Sequence, residues 1–214
     1  GLQDDLSVSG SGSIVSSGIF DANNKHVTLF DLQVNTTLNM GSGLWSLTGT
    51  GTVWSASQGT VNTGSANIIL TDTSTSERDF DGGSNSYNKL TIGGSSGTST
   101  LVMFGNATYS ELSSTKTVAH TITFLDGTTT TIGLWSINGT PGNVGTINSF
   151  GSNFSLIKSG GGIVSANYLN ISHSQASPST TWYAVNSINS GNNTGWIFGE
   201  PPVVVLNGNF LMLF

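Results

Sequence analysis

Short segments in which apolar and polar residues alternate follow one another along most of the chain. Examples are "HVTLF" (His26–Phe30), "NIILT" (Asn67–Thr71), "KLTIGG" (Lys89–Gly94) and "HTITFL" (His120–Leu125). Each is bounded by Gly, Asn, Asp or Ser, and alternation between such turn residues is typical of β-strands. The best helix-permissive stretch, Ser76–Phe80, is too short to form a stable helix alone. The pattern therefore predicts an all-β protein.

The spacing of the leucines narrows the choice of β architecture. Leu90, Leu101 and Leu112 stand 11 residues apart, and a second series with a spacing of nine residues begins at Leu29. Each of these leucines lies in a short predicted strand beside Thr or Ser. Strands at intervals of 8–12 residues are typical of a sandwich, a barrel or a solenoid.

A nearly duplicated octapeptide favours the solenoid. The chain reads "GLWSLTGT" at 43–50 and "GLWSINGT" at 133–140, and coils that stack on copies of themselves tend to repeat local sequence. We therefore predict a right-handed parallel β-helix in which Trp45 and Trp135 occupy equivalent positions of different coils, with Thr and Ser in outward ladders and Asn in ladders at the turns. Trp residues flanked by Leu and Ile usually face a core. The alternative is a pair of aromatic side chains that stack on a glycan.

Composition and charge exclude several classes of function. The 214 residues include 29 Gly and no Cys, only 7% are charged, and the net charge is −6. A negative chain whose five basic residues are scattered along the sequence does not fit nucleic-acid binding. Disulfides and thiolate metal sites are excluded, and no run of 18 apolar residues predicts a membrane span. A composition poor in charge and without cysteine is more typical of an exposed surface protein than of a cytosolic enzyme.

Five motifs follow one another along the second half of the chain: "DFDGGSNSYNKLTIGG" (Asp79–Gly94), "HTITFLDGTTTTI" (His120–Ile132), "SINGTPGNV" (Ser136–Val144), "ANYLNISHS" (Ala166–Ser174) and "TTWYAVNSINSGNNTGWIF" (Thr180–Phe198). In sequence and order they resemble those of a β-helix family found in bacteriophage fibre-like virion proteins and in large bacterial surface proteins. The final Asn-Asn-Thr-Gly-Trp-x-Phe motif is the most specific part. The similarity extends from Trp45 to Phe198, and it implies a right-handed parallel β-helix without established catalytic residues.

The C-terminal segment departs from this pattern, so we divide the chain into a solenoid domain at 1–198 and an apolar tail at 199–214. Pro201 and Pro202 end the preceding strand, and Asn-Gly between two apolar runs predicts a strand or hairpin. Such a tail either caps the open end of the solenoid or pairs with a neighbouring subunit. The predicted assembly residues are Val203, Val204, Val205, Leu206, Phe210, Leu211, Met212, Leu213 and Phe214.

Candidate catalytic groups are few. Asp79 and Asp81 lie on one face of an extended segment near Glu77, an arrangement that a polysaccharide-degrading β-helix could use. The same "DFDGG" sequence is also an ordinary turn, and it lacks the further ligands of an EF-hand calcium loop. The three His residues fall in separate strands without metal-ligand spacing.

Taken together, these patterns predict a non-enzymatic structural surface protein. We expect a subunit of a phage fibre, a virion decoration or a similar extracellular fibre, located on the virion surface or at the cell surface. Its expected partners are copies of itself, other virion or surface subunits, and a cell-surface glycan. No cofactor, metal, nucleic acid or membrane insertion is expected. The alternative is a polysaccharide lyase or glycosidase that uses Asp79, Asp81 and Glu77.

Overall fold

The chain winds as a parallel β-solenoid of about eight turns. The structure, a computed structural model, describes residues 1–202. All pairings between its named strands are parallel, and the described residues include no helix long and apolar enough to cross a membrane. The predicted all-β class and the stacked parallel coils are confirmed. The tail residues Val203–Phe214, to which we assigned a strand or hairpin and an assembly role, lie outside the described residues.

Two large sheets and one small sheet form the faces of the solenoid. The first sheet consists of β1 (Leu6–Val8), β3 (Ile19–Asp21), β4 (Val27–Leu29), β6 (Thr37–Asn39), β7 (Leu44–Leu47), β9 (Thr60–Asn62), β10 (Asn67–Leu70), β12 (Ser86–Ile92), β14 (Thr108–Ser114), β16 (Thr129–Ser136), β18 (Phe154–Lys158) and β21 (Ser174–Ser177). The second consists of β2 (Ile14–Val15), β5 (Leu32–Val34), β8 (Gly51–Ser55), β11 (Arg78–Asp81), β13 (Thr100–Phe104), β15 (Thr121–Phe124), β17 (Gly145–Ser149), β20 (Leu169–Ile171) and β23 (Ile188–Asn189). The third consists of β19 (Val164–Asn167), β22 (Trp182–Val185) and β24 (Trp196–Ile197).

Equivalent residues of successive coils lie above one another in columns along the axis. Leu90 pairs with Leu112 in the first sheet, so this coil contains 22 residues, and Leu101 lies between them on the second sheet. The 11-residue leucine spacing is therefore half a coil. One buried column of the first sheet consists of Val27, Trp45, Ile68, Leu90, Leu112 and Trp135. A buried column of the second sheet consists of Leu32, Trp54, Phe80, Met103 and Phe124.

Aromatic rings fill much of the interior between the sheets. In a cluster of five aromatic residues around Trp54, neighbouring ring centroids lie 5.4–6.3 Å apart, and Trp54 is stacked on Phe80 at 5.6 Å. Further along the axis, Phe124 is stacked on Phe154 at 4.6 Å. Such pairs stabilise a core beyond the area that they bury. The first cluster consists of Trp45, Trp54, Phe80, Tyr87 and Tyr109, and a second cluster of Trp135, Trp182 and Trp196.

Outward side chains of neighbouring coils hydrogen-bond to each other. The Asn62 amide donates to the Asn39 side-chain oxygen at 2.9 Å, and the Asn88 amide donates to Asn67 at 2.8 Å. The Thr123 hydroxyl donates to the Asn148 side-chain oxygen at 2.8 Å. The parallel register places Asn39 opposite Asn62 and Thr123 opposite Asn148 at the spacing between strands, whereas Asn67 is in register with the residue after Asn88. Hydrogen bonds between outward polar side chains of neighbouring coils are therefore present on both large sheets, and the asparagine pairs lie within strands of the first sheet rather than at turns.

Candidate functional site

The two tryptophans of the duplicated octapeptide lie in the core. Trp45 is fully buried and Trp135 is 7% exposed, and both belong to the same inward column, four coils apart. The prediction that they occupy equivalent positions is confirmed. Because neither indole face is open to solvent, the alternative that these residues stack on a glycan is wrong for the folded chain.

The duplication itself has a packing explanation. A Cβ atom at Gly43 would collide with the carbonyl group of Lys25, and one at Gly133 would come within 2.6 Å of the Ser110 carbonyl oxygen. Each glycine thus lets its strand approach the preceding coil, and the Trp two residues later points inward. The same local packing recurs with the same sequence, so the motif is structural in both copies.

Asp79 and Asp81 lie on the outer face of the second sheet, as their spacing predicts. Both are half-buried, and with Thr52, Ser55 and Phe104 they line an open concavity of about 200 Å³. The Thr52 hydroxyl donates to an Asp79 oxygen at 3.3 Å, and Asp81 accepts the backbone N–H of Gly83 at 3.0 Å. Two carboxylates, hydroxyls and one aromatic edge could contact the hydroxyl groups and the apolar face of a sugar.

A change of register accompanies this concavity. The pairing of β8 with β11 shifts between Asp79 and Phe80, and both Val53 and Trp54 of β8 are buried. This irregularity is a β-bulge, a feature that re-aims side chains and is over-represented near active sites. Glu77, the third predicted carboxylate, is exposed in the loop before β11 and does not line the concavity. The structure therefore brings together Asp79 and Asp81 but not Glu77.

The histidines do not converge. The His26 ring nitrogen Nδ1 accepts the backbone N–H of Leu44 at 2.9 Å, and the His173 ring lies 2.8 Å from the Asn192 amide on another coil. His120 lies in a third place, where its Nε2 is 3.0 Å from the Ser114 hydroxyl. Within residues 1–202, no group of three His, Cys, Asp or Glu side chains could hold a metal ion.

Sequence reasoning missed a buried group of basic side chains. We described the basic residues as scattered, but Arg78 is fully buried and Lys116 is 7% exposed at the same corner between the first and second sheets. Lys116 donates to the carbonyl oxygens of Gly94 at 2.9 Å and Gly97 at 2.7 Å, and Arg78 Nη2 donates to Ser99 at 2.9 Å. Both cations therefore contact one loop, Gly94–Ser99, from opposite sides.

Burial alters the protonation of this group. Burial lowers the pKa of Lys116 to about 8, with the Arg78 charge acting in the same direction and Asp72 opposing both. Burial also lowers the pKa of His120, and a hydrogen bond from its ring to the Val118 carbonyl partly opposes the change. The 22-residue period could have indicated from the sequence that these residues meet, because Asp72, Gly94 and Lys116 follow one another at that interval.

Comparison with known proteins adds no family assignment. No family model matches the chain, and neither a curated protein nor a solved structure matches it at a significant level.

Proposed function

We propose that the chain is a non-enzymatic structural surface protein, a subunit of a phage fibre, a virion decoration or a similar extracellular fibre. The observation that carries the proposal is the continuity of its columns. Buried apolar columns run from coil to coil along the axis, and hydrogen bonds between outward polar side chains join several pairs of neighbouring coils. Backbone pairing and core packing therefore hold successive coils together, which supports a stiff rod.

The surface chemistry supports the same function. With 7% charged residues, the chain presents mostly hydroxyl and amide groups, and within residues 1–202 Lys89 and Glu111 form the one ion pair. Like charges stacked at the spacing between strands would repel one another, whereas uncharged groups can hydrogen-bond along a ladder. A surface of this kind depends little on salt, which suits a particle exposed to changing solution conditions.

Location is tested on the native particle. An antibody raised against residues 1–202 should label a fibre or a surface projection in electron micrographs of virions or cells that carry this chain. Labelling confined to the inside of cells would contradict the proposal. The full chain should also survive incubation with trypsin and proteinase K, because stacked coils leave few openings for a protease.

Self-association is tested by removing the tail. We expect the deletion of Val203–Phe214 to convert an oligomer into a monomer or a loose aggregate while the solenoid stays folded, because nine large apolar side chains are too many for one solenoid end to cover. A matched control replaces the same apolar residues by Ser and keeps the chain length. Light scattering that shows an unchanged oligomer after deletion, or a monomeric full chain, would assign the tail a capping role only.

The second candidate function is polysaccharide cleavage, which the bulge and the paired carboxylates of β11 favour. The test is incubation of the full chain with a panel of bacterial surface polysaccharides. Cleavage that is lost in both Asp79→Asn and Asp81→Asn, but kept in Glu77→Gln, would establish the enzyme. Binding without cleavage would instead support a glycan-recognition role for the concavity.

A further inference from the structure

The corner that contains Arg78 and Lys116, which we call the cationic corner, concentrates positive charge inside a protein that has little of it. The chain has five Lys and Arg residues in all, and two of them are buried here on either side of the Gly94–Ser99 loop. Arg78 begins β11, and Lys116 lies two coils further along, after β14. His120 lies next to them in the loop before β15.

Arg78 has donors without acceptors. Its Nη2 donates to the neutral Ser99 hydroxyl, but its Nε and Nη1 have no hydrogen-bond partner among residues 1–202. A guanidinium group carries five N–H donors and stays charged in proteins. Leaving such donors unmet in a buried place costs more than leaving neutral ones.

The charge of the cationic corner also lacks a bound counter-ion from the chain. The Asp72 carboxylate acts to raise the pKa values of both Arg78 and Lys116, yet it forms no ion pair within 4.0 Å with either residue in the described part of the chain. Its Oδ2 instead accepts the backbone N–H of Ser74 at 3.1 Å and the Ser74 hydroxyl at 2.7 Å. One carboxylate that is not in an ion pair with either residue does not balance two buried cations.

We propose that the cationic corner binds a small monovalent anion of the chloride class at a guanidinium edge of Arg78. A water molecule could accept the unmet N–H groups, but it would leave the buried positive charge unneutralised. An anion satisfies both requirements. The full burial of Arg78 limits the ligand to a small ion and excludes extended ligands such as nucleotides.

Thermal unfolding of the full chain at constant ionic strength tests the proposal, with chloride exchanged for the bulky gluconate ion. We expect the melting temperature to rise with chloride by about 3–6 °C for each tenfold increase above the dissociation constant. The Arg78→Met variant keeps the aliphatic volume and needs no counter-ion, so its melting temperature should not depend on which anion is present. Lys25→Met removes one positive charge elsewhere on the chain and should respond to chloride as the unaltered protein does.

Crystals of the unaltered chain grown in bromide provide a measurement that requires no variant. An anomalous bromide peak within contact distance of Arg78 Nε or Nη1 would support the site. A water molecule at that position, or a chloride response that is the same in Arg78→Met and the unaltered chain, would overturn it. Neither result bears on the structural role proposed above, because the rod does not depend on which species fills the corner.

Discussion

The hydroxyl groups of two stacked tyrosines allow a matched test of the core. Tyr87 and Tyr109 occupy successive coils of one column, their ring centroids are 5.4 Å apart, and both are buried. The Tyr87 hydroxyl accepts the Trp54 indole N–H at 3.0 Å and donates to the Gly82 carbonyl oxygen at 3.1 Å. The Tyr109 hydroxyl has no hydrogen-bond partner within residues 1–202. Replacement by phenylalanine should therefore lower the free energy of unfolding at Tyr87 but not at Tyr109.

Tyr87→Phe leaves the buried Trp54 N–H without an acceptor, while the Gly82 carbonyl keeps its bonds from Asn85. An unmet buried donor costs about 1–3 kcal/mol, so the free energy of unfolding should fall by that amount. For a chain of this size the melting temperature would fall by about 2–4 °C for each kcal/mol. Tyr109→Phe removes a hydroxyl that was buried without a partner, and should leave stability unchanged or raise it by up to about 2 kcal/mol.

Thermal and urea unfolding followed by circular dichroism would measure both variants against the unaltered chain. The volume change is one oxygen atom in each, so packing effects cancel in the comparison. Equal destabilisation by the two substitutions would refute the hydrogen-bond assignment, because it would mean that the Tyr109 hydroxyl has a partner of similar worth.

Replacing Trp135 by Ala should destabilise the chain by about 3–5 kcal/mol, since it empties a buried position in contact with two other indoles; a loss below about 1 kcal/mol in urea unfolding would contradict that packing. Burial lowers the pKa of His120, so below about pH 6.5 the unfolded chain binds a proton more readily than the folded chain does. The free energy of unfolding should therefore decline as the pH falls below about 6.5, and it should decline less steeply in His120→Gln. The Lys116 pKa of about 8 lies below its ordinary 10.5, so in chloride-free buffer stability should rise with pH above about 8, and Lys116→Met should remove that rise. The Lys89–Glu111 pair, 2.9 Å apart and partly exposed, should contribute no more than about 1 kcal/mol in a double-mutant cycle.

The sequence predicted the features that depend on local alternation and repetition. Trp45 and Trp135 were placed correctly because a residue that points inward in one coil does so again in an equivalent coil. Asp79 and Asp81 were placed on one face because two-residue spacing in a strand requires it. These inferences need only the period of a strand and the resemblance between two segments.

The features that were missed depend on which loops meet at a corner. Arg78 and Lys116 are 38 residues apart, which is not a multiple of the coil length. The reason is that Arg78 directly follows its loop, as the first residue of β11, whereas Lys116 lies near the start of the loop after β14. Glu77 was grouped with Asp79 by sequence proximity, yet it lies in the loop before β11 and outside the concavity. The β-bulge at Val53, opposite the step from Asp79 to Phe80, arises from the pairing of two strands, and neither strand reveals it alone.

The parallel register has a consequence for how such a chain can change its length. Coils near the centre contain 22 residues, from Ile68 to Leu90 and again from Leu90 to Leu112, and neighbouring strands stand about 4.8 Å apart. Removing or duplicating one such segment would shorten or lengthen the molecule by that single step, and every side chain beyond it would keep its face. Surface groups on different coils are therefore separated by whole numbers of coil steps, and the gain or loss of complete coils would change these distances without changing the fold.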